Sequence, residues 1–196
     1  VALAGYGGFW DTLRMKIITF LITLLIAFSV GAKPMNKEIA TLAGGCFWGM
    51  EDIIRNLPGV LETTVGYTGG KVDNPTYNIV KLGTTNHAEA VQVEFDPKKI
   101  SYAEILSFFF RMHDPTTLNQ QGNDKGTQYR SVIFYHSPEQ LKTAKEVIQK
   151  LEAEKKWPKP IVTQVVQATE FFKAEDYHQD YLKKNPGGYT CHWLRD

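Results

Sequence analysis

Cysteine is nearly missing from this chain, with two in 196 residues, Cys46 and Cys191. So few exclude a disulfide-dense scaffold. No Cys-x-x-Cys pair, no His-Glu-x-x-His run and no other metal-ligand spacing occurs among them and the five histidines, which argues against a metal site. A glycine-rich phosphate or dinucleotide fingerprint is also lacking. Charge of one sign is not in excess: 22% of residues are charged and the formal net charge is +1. There is therefore no basic footprint for nucleic acid, and no polybasic block or acidic tail for a membrane surface. Repeats and low-complexity tracts are absent. What remains is a chain long enough for one domain with a substantial core.

The longest uncharged run lies at the start. Met15-Lys16 opens a stretch from Ile17 to Val30 without charge, and Gly31-Ala32 precede Lys33. A basic start, an apolar core and a small-residue exit describe a secretory signal peptide. The run is shorter than the roughly 18–20 residues of a comfortable span, with an uncleaved anchor as the alternative. The expected layout is an upstream extension at 1–14, a signal peptide at 15–32 and one domain at 33–196, in an exported protein, periplasmic or secreted. Removing residues 1–32 takes away Asp11, Arg14 and Lys16, which leaves equal numbers of basic and acidic residues. Export permits disulfides, so the two thiols are a static staple, a redox pair or unrelated.

Beyond the leader, apolar periodicity predicts a strand at Ile39–Leu42, a helix from Cys46 to Leu57 stopped by Pro58-Gly59, and a strand from Val60 to Tyr67. Residues 68–77 read as a polar loop. His87 to Phe95 alternates, with His87, Glu89, Val91, Val93 and Phe95 on one face. Ser101-x-x-Glu104 is a capping box, with Ile100 and Ile105 spaced as its staple. A polar loop over 114–128, a strand over 130–136 and a helix from Ser137-Pro138 follow. A strand over 161–168 and a last helix over 174–184 complete the pattern. Strands and helices intermix without a strict β-α-β rhythm. The expected fold class is α+β: a single domain with a mixed β-sheet packed with helices, as a two-layer sandwich.

Cys46 sits between glycines and large aromatics, in Gly45-Cys46-Phe47-Trp48-Gly49, where a strand gives way to a helix. The unpaired N–H groups and dipole at a helix start favour a thiolate, so its pKa is expected to fall below the free value of about 8.5. Glu89 lies on an apolar strand face, where an unpaired carboxylate is costly, so its pKa is expected to rise. The alternatives are a strand end open to solvent or a cationic partner. Tyr77 and Tyr129, on loops rich in turn residues, offer neutral hydroxyl donors, or else half-buried packing. Cys191 follows Asn185-Pro186-Gly187-Gly188-Tyr189, an expected flexible and exposed approach. His178 reads either as the partner of a catalytic cysteine or as a surface residue.

Several runs together carry a resemblance: Gly-Cys-Phe-Trp-Gly at 45–49, Leu-Pro-Gly-Val at 57–60, Gly-Tyr-Thr-Gly-Gly at 66–70 and Asn-Pro-Thr-Tyr at 74–77. His-Ala-Glu-Ala at 87–90, His-Asp-Pro-Thr at 113–116, Gln-Gly-Asn-Asp-Lys-Gly-Thr-Gln-Tyr-Arg at 121–130 and Ala-Glu-Asp-Tyr-His-Gln at 174–179 continue it in order. The chain resembles the A-type peptide-methionine sulfoxide reductases, which reduce the S epimer of methionine sulfoxide and so repair oxidised proteins. The resemblance implies that Cys46 is the nucleophile, left as a sulfenic acid. Glu89 would protonate the sulfoxide oxygen, Tyr77 and Tyr129 would grip it, and Asp124 would order the polar side. Phe47 and Trp48 would pack on the substrate methyl. Cys191 would then form a Cys46–Cys191 disulfide, reduced by a thioredoxin-like donor. No cofactor is implied, neither metal nor flavin, and a monomer is expected. A cysteine hydrolase and an exported binding domain with a static disulfide are the competing readings.

If the leader is cleaved as expected, N-terminal sequencing of the exported protein gives Lys33-Pro34-Met35. An exported chain that still carries residues 15–32 contradicts cleavage.

Overall fold

The computed structural model describes residues 37–196, so the expected extension at 1–14 and signal peptide at 15–32 lie outside the described residues. The chain runs through β1 (Glu38–Gly44), α1 (Phe47–Ile54), β2 (Val60–Thr68), α2 (Tyr77–Val80), β3 (Ala88–Phe95) and α3 (Tyr102–Met112). Then come β4 (Gln120–Gln121), β5 (Asp124–Lys125), a 3₁₀ turn (Thr127–Tyr129) and β6 (Ser131–Tyr135). It closes with α4 (Pro138–Ala153), β7 (Gln164–Gln167), β8 (Phe171–Lys173) and α5 (Tyr181–Lys184). Among the described residues no helix is long and apolar enough to cross a membrane.

Six strands form one mixed sheet in the order β7-β6-β1-β3-β2-β8. Every neighbouring pair is antiparallel except β6–β7, whose parallel pairing needs the crossover that α4 provides. β4 and β5 make a separate hairpin. The central strands β1 and β3 carry the apolar alternation, and one face of the sheet is much heavier than the other. On it Leu42, Val65, Val91, Val93 and Phe95 pack under Phe47, Met50 and Ile54 of α1 and Ile105, Leu106 and Phe109 of α3. The opposite face holds a smaller cluster of Ala43, Ala88, Ala90, Val132 and Phe134. The result is the expected α+β domain, a mixed sheet packed with helices.

Local signals set the helix starts. Ser101 accepts a hydrogen bond from the Glu104 N–H (3.2 Å), while the Glu104 carboxylate accepts from the Ser101 N–H (2.8 Å). Ile100 and Ile105 flank this box in the same core cluster. At α4, Ser137 accepts from the Gln140 N–H (3.2 Å), with Pro138 at the first helical position.

The main departure from the sequence reading lies near the C-terminus. Only Tyr181–Lys184 is helical, and the expected helix over 174–184 is otherwise a series of turns. Asp180, with φ of 54°, interrupts it. Before it β8 adds to the sheet edge at Gly66, where a Cβ would stand 2.4 Å from the Phe172 carbonyl oxygen. A three-residue strand is too short to carry a period, which is why it escaped notice. The loop expected over 114–128 holds the β4–β5 hairpin, and Tyr77 opens the short α2 rather than ending a loop.

Ser101→Ala should cost about 1 kcal/mol through loss of the cap. It would be read as a lower urea midpoint at unchanged slope; an unmoved midpoint contradicts the role given to the box.

Candidate active site

Cys46 caps the N-terminus of α1, directly after Gly45, whose φ of 113° an L side chain rarely adopts. Its side chain makes no capping hydrogen bond to the helix it starts. Its pKa lies well above the ordinary thiol value, the opposite of the sequence expectation. Burial is the largest cause, since only 6% of the residue is exposed; the charge of Glu89, when ionised, adds to it. A place at the helix start does not replace the water lost from around the sulfur.

The two glycines of the pentapeptide exist to let another segment in. A Cβ at Gly45 would stand 2.6 Å from Gln121 Cγ, and one at Gly49 would stand 2.2 Å from Thr190 Oγ1 and 2.8 Å from His192 Nδ1. The C-terminal segment therefore lies directly on the turn that carries Cys46. Cys191 is 9% exposed, and its Cβ lies 3.3 Å from where a Cβ at Gly122 would stand. The expected exposed approach is thus corrected at the thiol itself: only the stretch before it is open, with nothing within 4 Å of a Cβ at Gly187. Both thiols are free.

Glu89 faces inward with Val91, Val93 and Phe95 and is 2% exposed. Its carboxylate accepts from the Phe47 N–H at 3.2 Å. Burial raises its pKa to about 8, against the opposing pull of that N–H, so the acid is mostly protonated at neutral pH. Tyr77 and Tyr129 lie within electrostatic reach of Cys46, Glu89 and Asp124, and burial raises both phenols. Asp124, on β5, accepts from Cys191 Sγ (3.3 Å). All six polar and thiol residues expected at the site thus converge there.

Phe47 is only 1% exposed and packs against Tyr67 and His178, so it forms a floor. Trp48 is half-buried, stacked on Tyr181 at 3.7 Å between ring centroids. Its indole N–H donates to His178 Nδ1 (3.0 Å). His178, 1% exposed, is neither a surface residue nor a partner for Cys46; it orients Trp48. Glu175 accepts from the Tyr67 hydroxyl (2.9 Å) and the Tyr77 N–H (2.8 Å), fixing the start of α2. Glu51 of α1 accepts from the Asp180 N–H (2.9 Å) and ties this segment down. Sequence reasoning missed Glu175, Glu51, Gln121 and His192. Glu175 and Gln121 lie within the runs at 174–179 and 121–130 and His192 adjoins a thiol, whereas Glu51 carried no signal. Among the described residues no group of three or more His, Cys, Asp or Glu is arranged to hold a metal.

The family model described as peptide methionine sulfoxide reductase matches residues 38–195, nearly all of the described chain. This chain belongs to that family. The reductase is 56% identical over 153 residues to the peptide methionine sulfoxide reductase MsrA of Acidobacterium capsulatum, covering 78% of this chain and 97% of the relative. Among solved structures it is similar to reduced Mxr1 of Saccharomyces cerevisiae, with TM-score 0.79 and 41% identity, covering 86% of this chain and 98% of that one. Mxr1 solved in complex with Trx2 matches with TM-score 0.58 and 29% identity, covering 86% and 97%. The chain is an oxidoreductase that reduces methionine sulfoxide.

In this reductase the fit of the C-terminal segment onto Gly49 can be tested alone. Gly49→Ala should lift that segment and speed alkylation of Cys191 about tenfold or more, the equivalent of ~1.4 kcal/mol of packing. Mass spectrometry of iodoacetamide-treated protein reads it; unchanged protection of Cys191 contradicts the close contact.

Proposed function

We propose that the reductase acts on the S epimer of methionine sulfoxide, free or in proteins, through a two-thiol cycle. The epimer follows from the resemblance to the A-type enzymes. Cys46 attacks the sulfoxide sulfur while Glu89 gives its proton to the sulfoxide oxygen. Tyr77 and Tyr129 donate hydrogen bonds to that oxygen as charge builds on it. Asp124 orders the polar side, and the substrate methyl rests against Trp48 over the buried Phe47. Oxygen passes from substrate to Cys46: the thiol becomes a sulfenic acid and the sulfoxide a thioether, a two-electron exchange. Cys191 condenses with the sulfenic acid, forming a disulfide and water. A dithiol protein of thioredoxin fold then supplies two electrons and two protons to restore both thiols. That yeast Mxr1 has been solved in complex with Trx2 supports such a donor. Electrons move from thiol to thiol, so the cycle calls for no metal or flavin.

The observation that carries this reading is a buried carboxyl on the Phe47 N–H beside the buried Cys46, with a second buried thiol on the segment seated at Gly45 and Gly49. An acid kept neutral at working pH can protonate a leaving oxygen. We further propose export, with residues 15–32 as a signal peptide and 33–196 as the catalytic domain acting as a monomer. The donor then works outside the cytosol.

Mixing reduced protein with the S epimer should release methionine while two thiols per chain disappear; no thiol loss and no methionine overturn the reading. Cys46→Ser should abolish turnover. Cys191→Ser should give about one methionine per chain, then stall with a thioredoxin-type reductant. Glu89→Gln should slow the first step roughly 10²–10⁴-fold. The required form of Glu89 is the protonated one, so the wild-type first step should slow as pH rises through about 8. In Glu89→Gln that fall should vanish; a wild-type rate independent of pH across this range removes Glu89 from the step.

A further inference from the structure

The resolving thiol has a neighbour that the cycle above does not use. His192 Nε2 lies 2.9 Å from the Gly44 carbonyl oxygen. A carbonyl only accepts, so Nε2 carries the hydrogen and Nδ1 is left with a free lone pair. That lone pair faces Cys191 Sγ at 3.5 Å. The ring is fixed in this pose: it is buried, it fills the space left by Gly45 and Gly49, and the backbone N–H of His192 donates to Thr190 Oγ1 (3.1 Å). We propose that His192 is the base that takes the proton of Cys191 as this thiol attacks the Cys46 sulfenic acid.

Cys191 needs such an acceptor. Burial, together with its hydrogen bond to Asp124, pushes its pKa up to about 12, so it does not ionise unaided. Two acceptors touch it, Asp124 Oδ2 at 3.3 Å and His192 Nδ1 at 3.5 Å. Moving the proton to Asp124 would neutralise the carboxylate whose charge favours a protonated His192. Moving it to His192 makes an imidazolium beside the nascent thiolate, with the Asp124 charge also in its favour. Burial holds the resting ring down at about 4, so it begins neutral and free to accept.

The step balances. The Cys191 S–H bond breaks and its proton passes to Nδ1. The Cys191–Cys46 S–S bond forms as the Cys46 S–O bond breaks, and the hydroxide leaves as water with that proton. The thiol sulfur is oxidised by one electron equivalent and the sulfenic sulfur is reduced by one. His192 returns to its neutral form.

The assignment rests on the two-thiol cycle proposed above, and rapid-quench single turnovers distinguish the two. Reduced wild type, His192→Gln, His192→Asn and Asp124→Asn are mixed with S-methionine sulfoxide, and methionine and free thiols are counted over time. Gln can keep the hydrogen bond to the Gly44 carbonyl without a base, and Asn supplies a second variant if Gln is not accommodated. The expected result is a first burst of about one methionine per chain at the wild-type rate, with disulfide formation slowed roughly 10²-fold or more. Disulfide formation at the wild-type rate in either burst-competent variant overturns the assignment. So does slowing in Asp124→Asn alone, or equal loss of burst and disulfide in both His192 variants. A wild type that yields no methionine overturns the cycle itself, before His192 is at issue.

Discussion

The site depends on one contact, the seating of the C-terminal segment on Gly45 and Gly49. Neither position has room for a Cβ, because Gln121, Thr190 and His192 occupy that space. This seating brings Cys191 to the turn that carries Cys46, sets the His192 ring against the Gly44 carbonyl and shuts water away from both sulfurs. The segment is tied at its far end as well, where the Arg195 N–H donates to the Arg111 carbonyl (3.0 Å) and Arg111 Nε donates to the Arg195 carbonyl (2.6 Å). Two thiols far apart in sequence thus become neighbours without a disulfide.

Dryness decides the charge states. In water a helix start would favour a thiolate; here the lost hydration outweighs the helix start, and Cys46 rests as a thiol. The same dryness keeps the proton on Glu89. A resting thiol beside a resting acid is unreactive towards most partners, yet matched to a substrate that must lose an oxygen with a proton on it. Reactivity is then gated by the substrate rather than advertised by a standing thiolate.

Much of this was legible in the sequence, for reasons that differ by residue. Glu89 declared itself because a carboxylate on the face of Val91, Val93 and Phe95 breaks the strand's alternation. The Ser101–Glu104 box and Ser137-Pro138 declared two helices because capping is local chemistry. The charge state of Cys46 was misread because the C-terminal segment, distant in sequence, covers the turn that carries it, which no local rule reports. His178 and Glu175 were opaque for a related reason. Their meaning lies in what they hold, the Trp48 indole and the Tyr77 N–H, and those partners meet them only in the fold. The flanking glycines were visible but pointed to a turn, when one of their functions is to admit the tail.

The central claim is that the buried site holds Cys46 as a thiol in the resting reductase. Its most direct test is a titration of thiolate absorbance near 240 nm in Cys191→Ser, where Cys46 is the sole remaining thiol. The account predicts no thiolate signal between pH ~6 and ~8.5, the range below the ordinary thiol value. A thiolate signal already complete at pH ~7 would contradict it and return Cys46 to the helix-activated nucleophile that its position alone suggests.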